Sequence, residues 1–175
     1  LIGIGASGAS LPSLPDISIN KDGSQGKGNG QSWEQKGIKY IQRAAESDIS
    51  CVVASHGRVQ RFLANVPCRS LRRYIFAGAD SSGNIGVVSL VKVEMYDKAE
   101  AVEFKHLLDL PGTGDITPLG VEILKQVGIT FTGMHYDSKL DGSTVVAAEA
   151  EPAGGPSTAM SLKNMASVAL GAPAK

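Results

Sequence analysis

The sequence predicts an α+β fold: a compact single domain with a mainly antiparallel sheet, three core helices, and extended N- and C-terminal arms. Two observations carry that expectation. All nine aromatic residues fall between Trp33 and Tyr136. Inside that span, helical and strand periodicities follow one another as helix, strand, helix, then mostly strands with one helix interposed.

The ends look unlike the middle. Residues 1–31 are rich in glycine and serine, with Pro12 and Pro15 among them and no aromatic side chain. Such a stretch has little to bury and much backbone entropy to lose. From residue 147 to 175 alanine, proline and glycine dominate. The packed domain is therefore expected over 32–146.

Ser32-Trp33-Glu34-Gln35 reads as a capping box. Trp33, Gly37, Tyr40, Ile41 and Ala44 then follow at helical spacing. Ile49–Ala54 is a short run with β-branched residues and reads as a buried strand. Val59, Phe62, Leu63 and Val66 form the stripe of a second helix that Pro67 ends. Tyr74–Ala79 and Ile85–Tyr96, joined by Ser81-Ser82-Gly83-Asn84, read as a hairpin. Val102, Phe104, His106 and Leu108 alternate, which predicts a strand over Ala101–Leu108. Thr117 looks like an N-cap, with Pro118 at the first helical position and Gly128 past the end. Ile129–Phe131 and Thr144–Val146 complete the predicted sheet. Within the C-terminal arm, Ser157 or Thr158 can cap a short helix bearing Leu162, Met165, Ala166 and Ala169 on one narrow apolar stripe. A helix that short needs a surface to lie against, and a neighbouring copy is an expected one.

Formal net charge is zero, with 17 basic and 17 acidic side chains, yet the signs are segregated along the chain. Residues 31–73 carry Lys36, Lys39, Arg43, Arg58, Arg61, Arg69, Arg72 and Arg73 against three acidic groups. Residues 74–175 carry seven basic and twelve acidic groups. A basic segment suits phosphates or an anionic surface, and opposed halves suit head-to-tail association.

Chemical motifs are sparse. Val52-Val53-Ala54-Ser55-His56-Gly57 resembles the strand-end Ser-His-Gly of the histidine phosphatases over those few residues. That family's nucleophilic histidine lies in Arg-His-Gly, and no arginine precedes a histidine here. The resemblance implies phosphoryl chemistry at His56, and the missing arginine removes the clamp on the phosphoryl group. On the residues alone, His56 reads as a capping or core histidine. Gly112-Thr113-Gly114 and Gly26-Lys27-Gly28 lack the Gly-Lys-Ser/Thr ending of a phosphate loop. Cys51, His56 and Cys68 nominally offer three zinc ligands without a fourth, so a free buried cysteine is the expectation for Cys51. Asp137–Gly142 lacks the carboxylate pattern of a calcium loop. No metal, cofactor or small-molecule substrate is expected.

The expected function is a non-enzymatic structural subunit that self-associates, of the viral matrix, coat or nucleocapsid-associated kind. Its partners would be further copies of itself, RNA or nucleoprotein phosphates, or an anionic membrane surface. The second expectation is a small phosphoryl-transfer or hydrolytic enzyme centred on His56. Leu1–Ser10 is apolar without a basic n-region and is not read as a signal peptide. No apolar run approaches the roughly 18 residues of a membrane span. The expected location is the cytoplasm, or the virion and host cytoplasm for a viral subunit.

Overall fold

The computed structural model describes residues 38–48, 50–80, 83–154 and 159–171. The predicted N-terminal arm, the Ser32–Gln35 capping box, Trp33, Lys36, the Ser81-Ser82 part of the turn and the Ser157/Thr158 cap lie outside the described residues. So do the side chains of Lys39 and Arg43. Five strands form one sheet: β1 (Ile38–Asp48), β2 (Ser70–Asp80), β3 (Ile85–Glu94), β4 (Tyr136–Asp141) and β5 (Thr144–Gly154). Their order is β1-β2-β3-β5-β4, and every neighbouring pair is antiparallel. Four helices accompany them: α1 (Gly57–Asn65), α2 (Lys98–Leu108), α3 (Val121–Gln126) and α4 (Ala159–Leu170).

Strand alternation gives the sheet two apolar faces, and helices cover both. On one face Leu71, Val91, Val93, Val145 and Ala147 pack with Val59 and Leu63 of α1 and with Ala101, Phe104 and Leu108 of α2. Ile75 and Val87 extend that face beneath Leu119, Leu124 and Ile129, around α3. On the opposite face Tyr74, Phe76, Val88, Leu90, Val146, Ala148 and Ala150 receive α4. The result is a three-layer α/β/α arrangement whose central strand β3 is buried along nine of its ten residues.

Leu162, Met165, Ala166 and Ala169 are all buried in this chain's own core. The stripe expected to meet a neighbouring copy is therefore spent on the sheet beside it. Gly86 makes the close approach possible, because a methyl group there would overlap Met165 Sδ. The predicted arm is corrected in the same way. Residues 147–154 are most of β5, an interior strand, and α4 packs on the same sheet.

Five local expectations are also overturned. Tyr40, Ile41 and Ala44 lie on strand β1 and not on a helix. The register of β1 on β2 shifts between Tyr40 and Gln42, and the extra residue breaks the period of two so that the pattern imitates helical spacing. Cys51–Ala54 forms turns, with Val53 82% exposed, since a short apolar run does not distinguish strand from other structure. Ala101–Leu108 is helical: Asp97 caps α2 by accepting from the Glu100 N–H at 2.8 Å, and Ala101, Phe104 and Leu108 are its buried side. The interposed helix starts at Val121, after a left-handed Gly120, and not at Pro118. Gly128, at φ +81°, ends it as expected. Ile129–Phe131 is not a strand, and β4 supplies the fifth one instead.

Cys51 and Cys68 are joined in a disulfide. The expectation of a free buried cysteine is replaced by a link between the turn before α1 and the entry to β2, seventeen residues apart. Closing a loop of that length restricts the unfolded chain by about 3 kcal/mol. The Cys51→Ser/Cys68→Ser double variant should accordingly lose about 3 kcal/mol of unfolding free energy in urea. Reducing agent should destabilise the wild type by a similar amount and leave the double variant unchanged.

Candidate active site

The site is built where two loops run side by side under the helix-covered face of the sheet. Ser55 and Ile116 form an antiparallel bridge. Around it, Thr117 N–H donates to the Ala54 carbonyl at 2.7 Å, His56 N–H to the Asp115 carbonyl at 3.0 Å, and Val59 N–H to the Thr113 carbonyl at 3.0 Å. The two backbones touch at Gly57 and Gly114, both at positive φ. A methyl on Gly114 would overlap the His56 carbonyl, and one on Gly57 would lie 2.9 Å from Gly114 Cα. The Gly112-Thr113-Gly114 stretch is thus a turn shaped for close approach, as expected. The buried Thr113 hydroxyl stands between the Leu107 and Leu110 carbonyls, at 2.9 and 2.7 Å.

A cavity of about 860 Å³ opens beside these loops. His56, Asp109, Asp115, Glu122, Lys125, Tyr136 and Glu149 supply its ionisable lining. Glu149 comes from β5 and pairs across the ladder with Tyr136 of β4. Asp109 caps the end of α2. Phe131 to Gly133 complete the wall.

Two carboxyls here are held far from their ordinary state. Burial pushes Asp115 up to about 6, against the hydrogen bond from Ile116 N–H and the attraction of His56. Burial also pushes Glu149 up to about 7; the amide of Gly133 works against this, while the charges of Asp115 and Glu151 add to it. Glu149 Oε1 accepts from Gly133 N–H. Its neighbour on the same face, Glu151, accepts from both Thr132 N–H at 2.8 Å and Thr132 Oγ at 2.5 Å. Asp109 behaves differently. Burial works to raise it, but hydrogen bonds from Lys105, Ser138 and Tyr136 outweigh that and hold it below the usual carboxylate range. Tyr136 is pushed up by burial and by the Asp109 carboxylate that its hydroxyl contacts at 2.8 Å. The cavity therefore combines one fixed anion with two carboxyls poised to exchange protons near neutral pH.

His56 stands at the N-cap position of α1, but its side chain makes no capping hydrogen bond, and it is exposed on the cavity wall. It is neither a core residue nor a cap in the hydrogen-bonding sense. Sequence reading placed His56 and missed its neighbours, because Asp115 and Glu149 are 34 residues apart in the chain. One signal was present: Glu149 and Glu151 alternate with alanines inside an otherwise apolar strand, which puts charge on a buried face.

Of the predicted basic surface, the five arginines whose side chains are described lie on α1, just before β2 and on β2. Arg72 and Arg73 are consecutive on β2 and leave it on opposite faces. Arg73 Nη1 donates to the Thr117 carbonyl at 2.9 Å, so this residue braces the Asp115 loop. Arg69 pairs with Glu94 at 3.6 Å. Arg58 and Arg61 stay together, one turn apart on α1, along a separate groove. Among the described residues, no group of three or more His, Cys, Asp or Glu side chains is placed to hold a metal ion. No helix of the described residues is long and apolar enough to cross a membrane.

No family model, curated protein or solved structure matches this chain. Its chemistry is therefore argued from the cavity itself.

Both raised carboxyls make stability depend on pH with a definite sign. Their folded pKa values, about 6 and about 7, exceed the ordinary 3.8 and 4.5. The folded protein thus binds more protons than the unfolded chain through this window. The associated stability is present at low pH and is lost as pH rises through about 6 and then about 7. Urea unfolding should show a higher free energy at about pH 5.5 than at about pH 8. Glu149→Gln should flatten that slope and exceed the wild type at about pH 8, by up to about 3 kcal/mol.

Proposed function

We propose that the protein is a hydrolytic enzyme that acts by general acid–base catalysis in the cavity beside His56. The observation that carries the reading is the Asp115–Glu149 pair, two carboxyls that line one cavity, are held up by burial and feel each other's charge. Between about pH 6 and about 7 the favoured microstate has Asp115 ionised and Glu149 protonated. Glu149 then donates its proton to the leaving-group oxygen, and Asp115 takes the proton from the attacking water. His56 and Lys125, the latter paired with Glu122 at 3.1 Å, also line the cavity and would contact the polar part of a substrate.

Charge narrows the substrate. Even with Glu149 protonated, Asp109, Asp115 and Glu122 outnumber Lys125 around the cavity, which disfavours a phosphorylated ligand. Hydrolysis of a neutral ester or glycoside is accordingly favoured over phosphoryl transfer, and the centre of the chemistry moves from His56 to the two carboxyls. The Cys51–Cys68 disulfide favours an oxidising compartment over the reducing cytoplasm.

The test is a panel of chromogenic nitrophenyl esters and glycosides, with nitrophenyl phosphate as the charged control. Turnover of a neutral substrate should follow a bell-shaped pH profile with its maximum between about 6 and 7. Asp115→Asn and Glu149→Gln should each lower kcat by about a hundredfold or more while the variants remain folded. Inactivity toward every neutral substrate, or activity indifferent to both substitutions, would remove the reading.

Self-association as a structural subunit is the second reading, and the observation favouring it is strand β1. It is eleven residues long and, among the described residues, lies at the end of the sheet. A long edge offers unpaired backbone groups to a second copy. Light scattering at low and high salt should then give a mass above 18.2 kDa that salt leaves unchanged, since the link is a backbone ladder. A mass of 18.2 kDa in both conditions would remove this reading.

A further inference from the structure

The second concavity lies between α1 and α2, with a volume of about 570 Å³. Arg58 and Arg61 reach it from α1, and His106 and Glu103 from α2. Phe62, Leu107 and Leu110 form its apolar part. The floor is fixed, because the half-buried Phe62 ring stacks on the fully buried Phe104 with centroids 5.8 Å apart. The cations are not committed elsewhere: neither guanidinium makes a hydrogen bond or ion pair with any described residue. Leu110 remains 42% exposed at the edge of the groove, an apolar surface without a cover.

These groups impose a shape on the ligand. Two guanidiniums carried three residues apart on one helix face can both donate to a single planar anion. Glu103 offsets part of the positive charge, which suits a monoanion better than a phosphate dianion. The aromatic and leucine side chains beside them require an apolar body of several carbons. We propose that this groove binds an organic monocarboxylate with an apolar chain or ring, its carboxylate on Arg58 and Arg61 and its body on Phe62, Leu107 and Leu110.

The groove is separate from the acidic cavity, although Leu110 lines both. The inference stands whether or not the cavity is catalytic.

Octanoate is the probe, titrated into the full chain near neutral pH and followed by amide NMR shifts. Octanol tests the apolar contribution alone, and inorganic phosphate the anionic contribution alone. Saturable shifts at Arg58, Phe62, His106 and Leu110 with octanoate, stronger than with either control, are expected. The Arg58→Gln/Arg61→Gln double variant changes only exposed side chains and should keep the wild-type spectrum elsewhere. It should weaken octanoate by about tenfold or more and leave octanol unchanged. Non-saturating octanoate shifts, phosphate binding as tight as octanoate, or an unaltered octanoate affinity in the folded double variant would each overturn the proposal.

Discussion

Two glutamates on the helix-covered face of an interior strand constrain much of the surrounding architecture. Glu149 and Glu151 are buried on β5 beneath the layer that holds α1 to α3, where an unpaired carboxylate would be costly. The chain meets that cost by bringing the Thr132–Gly133 backbone over them, so that two amides and one hydroxyl point at carboxylate oxygens. Ile129, just before this loop, packs with Leu119 and Leu124 against Ile75 and Val87 of the sheet. The predicted strand at Ile129–Phe131 is absent because the following backbone is occupied with the two acids. Glu151 is well supplied with donors. Glu149 leans toward its protonated form because it is buried, and the nearby charges of Asp115 and Glu151 add to that.

The opposite wall obeys a different constraint. Asp115 is positioned through backbone contacts between two loops, and the whole arrangement depends on the absence of side chains at Gly57 and Gly114. The Cys51–Cys68 bond secures the turn just before the first of these loops to the start of β2. Arg73, further along the same strand, secures the second loop through the Thr117 carbonyl. One strand thus braces both loops, which gives the site a rigid frame on the side away from β5. His56, by contrast, is exposed and takes no part in this bracing through its side chain.

Legibility in the sequence followed the range of the interactions. The β2–β3 hairpin was readable because its turn and its alternation are local, and α1 because its stripe ends at a proline. The class α+β with an antiparallel sheet was readable for the same reason. A bulge disguises the period of β1, and in α2 Phe104 and Leu108 lie four apart, as a helix requires, yet also fall in the period-two series with Val102 and His106. Here Asp97 and Glu100 carried the correct local signal, a helix start, and the alternation outweighed it. The C-terminal segment failed for another reason. Alanine-rich strands and helices look weak in isolation, yet small side chains are what let α4 settle on β5 and β3. The candidate site lay beyond local reading altogether, since Asp115 and Glu149 meet only after β5 inserts between β3 and β4.

The segregation of charge along the chain has a related lesson. In sequence, residues 31–73 look like a basic block, but a strand sends neighbouring side chains to opposite faces, and β2 thereby separates Arg72 from Arg73. A helix does the reverse and gathers residues three apart, which keeps Arg58 beside Arg61. The acidic excess of the second half is likewise sorted. Glu149 and Glu151 turn inward, whereas Glu122, Glu103 and Asp141 remain in water. Among the described residues, folding gathers charge into two concave sites of opposite character, acidic and cationic, both bordered by Leu110. Local charge, set by which element carries each residue, is therefore the better guide to ligands here than the balance of either half of the chain.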